Sequence, residues 1–203
     1  MTDPEDRAAK LVEIVRDRIP PRFGFDPIRD AQVLCPIQGG ALGARALNGD
    51  LQKALNPNTS ENIERFGSTF APGDNVMRIV NDYDGEVFNG DLGRVRRIGQ
   101  TEGVLIAEFD NHEVEYPFGK LDALVPAFAT TIHKSRGSEY PAGVITLAIQ
   151  HYSTLARNLI NVAVTRGKRL VVVVGQRQAL AITVKSGSER RRSTKLRDGL
   201  KPA

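Results

Sequence analysis

The sequence predicts a three-layer α/β domain with a mostly parallel sheet, interrupted by a small antiparallel β-barrel, and three observations carry that expectation. Both ends of the chain alternate helical apolar spacing with short, densely apolar runs, as in a sheet covered by helices. Val171 to Val174 is apolar at every position, the pattern of a central parallel strand buried on both faces. Between about 71 and 125 the pattern changes to short runs rich in valine and isoleucine, separated by turn residues.

Thr2-Asp3-Pro4-Glu5 has the form of a capping box with proline at the first helical position. Ala8, Leu11, Val12, Val15 and Ile19 follow at helical spacing, and Pro20-Pro21 is expected to stop the helix. Ala31-Gln32-Val33-Leu34-Cys35 reads as a buried strand ending at Pro36. Gly39, Gly40 and Gly43 turn the chain into a second helix, with Leu47, Leu51, Ala54 and Leu55 on one face and Asn56-Pro57 at its end.

Gly73-Asp74, Asn89-Gly90-Asp91, Gly99, Gly103 and Asp110-Asn111 then punctuate runs near 74–80, 92–98, 103–109 and 113–117, which alternate well enough for a small barrel. Strands near 126–132, 143–149 and 169–174 enclose a helix near 153–164, and another helix near 176–185 follows Gly175. The expected organisation is therefore 1–70 and 126–203 as two parts of one domain, with 71–125 inserted as the barrel.

The 203 residues carry a net charge of +4, but residues 185–203 alone hold seven Lys/Arg against Glu189 and Asp198, which leaves the remainder at −1. A basic terminus of this kind is a solvated tail or a nucleic-acid contact, so any nucleic-acid function must come from motifs. With one cysteine, Cys35, at the end of an apolar stretch, no internal disulfide forms and the thiol is expected to be buried and inert. No cleavable leader or apolar run of membrane length is visible, so the expectation is a cytoplasmic protein without a membrane partner.

Two segments carry the chemistry. Ala129-Thr130-Thr131-Ile132-His133-Lys134-Ser135-Arg136-Gly137-Ser138-Glu139-Tyr140 and Arg157 to Gly167, ending Val164-Thr165-Arg166-Gly167, place hydroxyls, a glycine and charged residues where they can reach phosphates. No Gly-x-x-x-x-Gly-Lys-Ser/Thr occurs, and the 170–174 run ends in Gly175-Gln176 rather than an acidic pair. The chain alone is not expected to hydrolyse ATP. No His/Cys cluster suggests a metal site.

Gln32-Val33-Leu34-Cys35-Pro36, Leu47-Asn48, Gly73 to Met77, Asn81-Asp82-Tyr83, Val87 to Gly93, Thr131 to Glu139 and Val164-Thr165-Arg166 occur in an order that resembles the C-terminal half of RecD-like superfamily 1 DNA helicases, the exodeoxyribonuclease V alpha-subunit type. The resemblance spans nearly the whole chain. It implies a second RecA-like domain carrying a barrel of the Src-homology-3 type, within an ATP-dependent motor that moves 5′ to 3′ on single-stranded DNA. In such motors ATP with Mg2+ sits between two RecA-like domains, so the implied partners are single-stranded DNA, an N-terminal ATP-binding domain in cis or in trans, and subunits of a recombination or repair nuclease.

By this resemblance Thr131, His133, Lys134, Ser135 and Arg136 would face DNA phosphates. Gly137 would let the backbone approach, and Glu139 would lie toward the nucleotide with Gly137, Thr165 and Arg166. Arg166 matches the family's arginine finger, the catalytic residue that reaches the γ-phosphate. The plainer alternatives are a strand-to-helix turn capped by His133 and Ser135, and a surface arginine beside Lys168 and Arg169. Family members commonly carry arginine at Gly39, glutamine at Arg136 and tyrosine at Asn161. Gly39 removes a second phosphate contact, for which Arg45, about two helical turns on, is the candidate substitute; together the departures leave open a nucleic-acid-binding or scaffolding module without motor activity.

The barrel carries Arg78, Arg94, Arg96 and Arg97, and its aromatics Tyr83, Phe88, Phe109, Tyr116 and Phe118 are expected to form its core rather than a stacking platform for bases. His112 is expected in a solvated turn, and His151 in packing or near DNA.

Overall fold

A computed structural model of the chain describes residues 4–57, 61–110, 112–154 and 157–185. The capping residues Thr2 and Asp3, the turn residue Asn111 and the basic tail from 186 lie outside these. Helix α1 (Pro4–Glu13) passes through a π-helical turn (Ile14–Arg18) into α2 (Ile19–Phe23). Pro20-Pro21 therefore does not end the helix, contrary to expectation. The prolines stand in the first turn of α2, and the π-helical turn before them closes with the Ile19 N–H on the Ile14 carbonyl, the last N–H ahead of the two residues that have none. Gly24, at φ +70°, closes the helix by donating its N–H to the Pro20 carbonyl.

Strand β1 (Ala31–Cys35) is followed by α3 (Ala44–Leu55), a hairpin of β2 (Ile63–Arg65) and β3 (Ser68–Phe70), and then β4 (Asn75–Arg78), β5 (Leu92–Gly99), β6 (Val104–Phe109) and β7 (His112–Pro117). A 3-10 turn (Phe118–Ala123) leads into β8 (Leu124–Pro126), and the chain continues through β9 (Ala129–Thr131), β10 (Tyr140–Leu147), a 3-10 segment (Ile149–Thr154), α4 (Arg157–Val164), β11 (Gly167–Gly175) and α5 (Arg177–Lys185).

The larger sheet has the order β11-β10-β1-β9 and is parallel throughout. Alternation along its strands sorts the apolar side chains between two helical layers. Val33, Cys35, Ala142 and Val144 pack with Leu11, Val15, Leu47 and Leu51 on one face. Leu34, Ile145 and Leu147 pack with Leu159, Ile160, Ala163 and Ala179 on the other. Cys35 is fully buried, and burial pushes its thiol up to about 12, so it stays protonated.

The strand expected at the centre lies at an edge. Among the described residues β11 pairs only with β10, and Val173 is 42% exposed. Its run is apolar because Leu170, Val172 and Val174 still pack on one layer and Val171 on the other.

The smaller sheet is antiparallel, in the order β7-β6-β5-β4-β8. A bulge between Val95 and Arg97 lets β5 bend around a core of Val76, Leu105, Phe109, Tyr116 and Leu121. That core also takes in Ile63 and Phe70, upstream of the boundary expected at residue 71. The two units are joined by polar contacts. Asp74 accepts hydrogen bonds from Gln52, from Asn56 (2.8 Å) and from the Ala71 N–H (2.7 Å), and Asn75 donates to the Ile28 carbonyl at 2.6 Å.

Candidate functional site

The 131–139 segment grows out of the end of β9, and three contacts fix its origin. Asn48 on α3 donates to the Ala129 carbonyl and accepts from the Ala129 N–H, both at 2.8 Å. The Ile132 N–H donates to the Cys35 carbonyl at 2.9 Å, and the Ile132 side chain is fully buried. Asn48 entered the sequence reading only as part of a motif; its reciprocal amide pair gives it a positioning role that a residue type alone could not reveal.

Beyond Ile132 the backbone folds into tight turns rather than a helix. The Lys134 and Ser135 N–H groups donate to the Thr131 carbonyl at 2.9 and 3.1 Å, and Ser138 N–H donates to Ser135 carbonyl at 3.2 Å. His133, Lys134, Arg136, Gly137 and Glu139 are exposed, and Thr131 is half-buried. Ser135 differs from its expected role. Its side chain is fully buried, and its hydroxyl donates to the Ile132 carbonyl at 2.9 Å, which directs it into the turn instead of outward. Gly137 has φ +90°, a backbone conformation that L side chains rarely adopt.

Helix α4 brings the second segment to this turn. Arg166 is held by three groups: Nη1 donates to the Ser138 carbonyl at 2.9 Å, Nε to the Val162 carbonyl at 3.2 Å, and Nη2 to the Thr165 hydroxyl at 3.1 Å. The Tyr140 N–H returns a bond to the Arg166 carbonyl at 2.8 Å. Beside them Lys168 and Glu139 form an exposed ion pair at 3.0 Å. Gly137, Glu139, Thr165 and Arg166 thus share one corner of the domain, and Ser138 and Lys168, which the motif reading did not single out, fasten it together. Arg136 and Asn161 are both exposed.

Gly39, Gly40 and Arg45 are exposed on the turn after β1, and a side chain at Gly39 would meet nothing within 4 Å. Gly43 is the constrained position there, because a Cβ would come within 2.1 Å of the Gly39 carbonyl oxygen.

The barrel arginines form no open basic face. Arg78 is buried, donating to the Val80 carbonyl at 2.8 Å, while Arg96 pairs with Glu108 and Arg97 with Glu102. Burial, with Arg29 nearby, lowers the pKa of Arg94. Phe109 and Tyr116 are core residues as expected, and Phe118 packs against that core. Tyr83 and Phe88 are not: they are 76% and 45% exposed. His112 is exposed, with Nε2 3.2 Å from the Gly85 carbonyl oxygen. His151 is buried, and burial lowers its pKa, so the ring is biased to the neutral form. Among the described residues no three His, Cys, Asp or Glu side chains gather as a metal site, and no helix is long and apolar enough to cross a membrane.

Known proteins bear on this geometry. Residues 47–109 match the family described as the ATP-dependent RecD-like DNA helicase SH3 domain, and residues 126–174 match the UvrD-like helicase C-terminal domain. The ATP-dependent RecD2 DNA helicase of Deinococcus radiodurans is 36% identical over 167 residues, which are 81% of this chain and 23% of that protein. The RecBCD enzyme subunit RecD of Mycolicibacterium smegmatis is 32% identical over 182 residues, 90% of this chain and 31% of that one. The chain therefore spans only about a quarter to a third of the length of these relatives. A Pif1 helicase from Bacteroides, solved in complex with ADP-AlF3 and ssDNA, shares the fold with a TM-score of 0.53 at 18% identity, over 81% of this chain and 44% of that one. With both domain families matched in order and the parallel sheet and small barrel in place, the chain belongs to the RecD-like superfamily 1 DNA helicases, as their helicase C-terminal-type domain.

Proposed function

We propose that this chain forms one wall of the nucleotide site and one wall of the DNA channel in a RecD-type motor. The observation that carries the proposal is the Arg166–Ser138 hydrogen bond, which fastens the 131–139 segment to the end of α4. A change in what Arg166 contacts is then felt directly at the segment that carries His133, Lys134 and Arg136.

In this reading ATP with Mg2+ is bound chiefly by a Walker-type half in cis or in trans, since no such motif occurs in the 203 residues. The residues here fit one edge of a polyphosphate. Arg166 offers a planar fork of donors, and Lys168 and Glu139 are exposed beside it. Arg166 acts as the arginine finger: its guanidinium stabilises charge on the transferring phosphoryl group. Lys134 and Arg136 hold DNA phosphates as exposed cations, with Thr131 and His133 adding polar contacts. Ser135 contributes through the turn it closes. The motor works by opening and closing of the two domains about this wall, and the name of one relative, a RecBCD enzyme subunit, supports a place among partner subunits; those of a recombination or repair nuclease, in the cytoplasm, complete the reading.

The test combines this chain with a Walker-containing half. DNA-stimulated ATPase is expected to appear only in the mixture and to fall by about a thousandfold in R166A. An unchanged rate in R166A removes the finger assignment. The second reading, a nucleic-acid-binding or scaffolding module, is favoured by Gly39, where the loop carries no side chain. It predicts salt-sensitive binding of single strands without any ATPase in the mixture.

A further inference from the structure

We infer that Tyr83 and Phe88 form an aromatic platform on which bases of a single-stranded nucleic acid stack as the strand passes the 131–139 segment. The inference rests on reading that segment as a nucleic-acid contact. It adds the element that would grip the bases.

The two rings meet edge to face, with centroids 6.0 Å apart, and Tyr83 is among the most exposed large side chains described. Their exposure does not come from a loose loop. Asp82 and Val87 exchange backbone hydrogen bonds at 2.8 and 3.0 Å, and the Val87 side chain is fully buried as an anchor. The Phe88 N–H donates to the Asp91 carboxylate at 2.7 Å, the Asn89 N–H to the Asn81 side chain at 2.9 Å, and the Gly90 N–H to the Arg78 carbonyl at 2.9 Å. The scaffold thus holds two aromatics outward at fixed positions, with little ordering left for a ligand to impose.

The placement identifies the occupant. Gly90 lies against the coupling segment: a methyl group there would stand 3.9 Å from the Lys134 carbonyl oxygen. Leu92 packs into the same apolar cluster as Ile132. The aromatic loop is therefore fixed beside exposed His133, Lys134 and Arg136. Exposed cations next to exposed rings suit a flexible polyanion whose bases are unpaired: phosphates meet the cations, and bases meet the rings. Asp84 and Glu86 are exposed on the same loop and line one pocket with Tyr83, so they disfavour phosphate at that ring and leave the strand's backbone to Lys134 and Arg136 while its bases reach the rings.

The experiment is fluorescence anisotropy of the full chain at low salt, with a labelled oligo-dT strand and an abasic strand of equal length. Wild type is expected to bind oligo-dT more tightly than the abasic strand. Y83A/F88A should weaken oligo-dT binding by about tenfold and leave the abasic strand unchanged, whereas K134A/R136A should weaken both. Y83S alone, at a mostly exposed position, should give a smaller loss in the same sense and guards against misfolding of the double variant. If wild type binds both strands equally, or Y83A/F88A retains full affinity while K134A/R136A loses it, the platform is overturned and the coupling-segment reading stands. If wild type binds neither strand, that reading fails and the platform with it.

Discussion

The Arg166 guanidinium donates to the Ser138 carbonyl at 2.9 Å, so the arginine that ends one motif is fastened to the turn that closes the other. Removing it breaks this bond and those to the Val162 carbonyl and the Thr165 hydroxyl. R166A is expected to cost about 1 kcal/mol of stability, modest because the side chain is only half-buried. The sharper effect is local: amide exchange across 136–140 should accelerate. R166K keeps the charge but loses the planar fork, so it should not restore protection. Exchange measured by mass spectrometry decides this, and unaltered rates in R166A would show that the contact does not hold the turn.

The turn after β1 separates two glycines that look alike in the sequence. Gly43 is pressed against the Gly39 carbonyl, whereas Gly39 faces open space. G43A should lower stability by about 1–3 kcal/mol through overpacking, and thermal unfolding reads this directly. G39R, which installs the arginine that the resemblance leads one to expect there, should leave the melting temperature nearly unchanged and strengthen binding of single strands or nucleotide. A marked loss of stability in G39R would mean that the loop is more constrained than its geometry indicates.

Asp74 links α3 to the barrel from a buried position, and burial raises its pKa above the ordinary 3.8 despite hydrogen bonds from Asn56, Gln52 and the Ala71 N–H. The folded chain then binds more protons at this site than the unfolded chain, between the ordinary value and the raised one. Stability from this site is therefore greatest below the unfolded value and falls as pH rises through the folded one. D74N abolishes the titration. Comparing denaturant midpoints of the two proteins across the acid range, wild type should gain on D74N as pH falls toward 4; a constant difference would contradict the shift.

What the sequence made legible was periodicity and punctuation. Leu11, Val15, Leu47 and Leu51 announced buried helix faces, and the turn residues around 89–91 and 99–103 bounded the barrel strands. Direction within a turn was not legible. Ser135 and Lys134 are neighbouring polar residues, yet one hydroxyl closes the turn from inside and the other side chain points to solvent. Tyr83 and Phe88 read as core because aromatics in a small barrel are usually buried, whereas Val87 between them takes the inward position. The motif residues came together because Ser138 and Lys168 supply the contacts that join them, and neither residue has a pattern that marks it in advance.

Strand position was also beyond reach, because an apolar run records how many faces are covered and not how many neighbouring strands there are. Val173 in β11 shows the difference, for it is 42% exposed at an edge of the sheet while Val144 in the adjoining β10 is fully buried. V173K should therefore change stability by no more than about 0.5 kcal/mol, because the long side chain can keep its charge in water. V144K should prevent folding, since a charge would be buried between two layers without a partner. Thermal melts of the two variants test the arrangement. Loss of the fold in V173K would mean that β11 is covered as a central strand would be, and would return the sheet to the order expected from its apolar run.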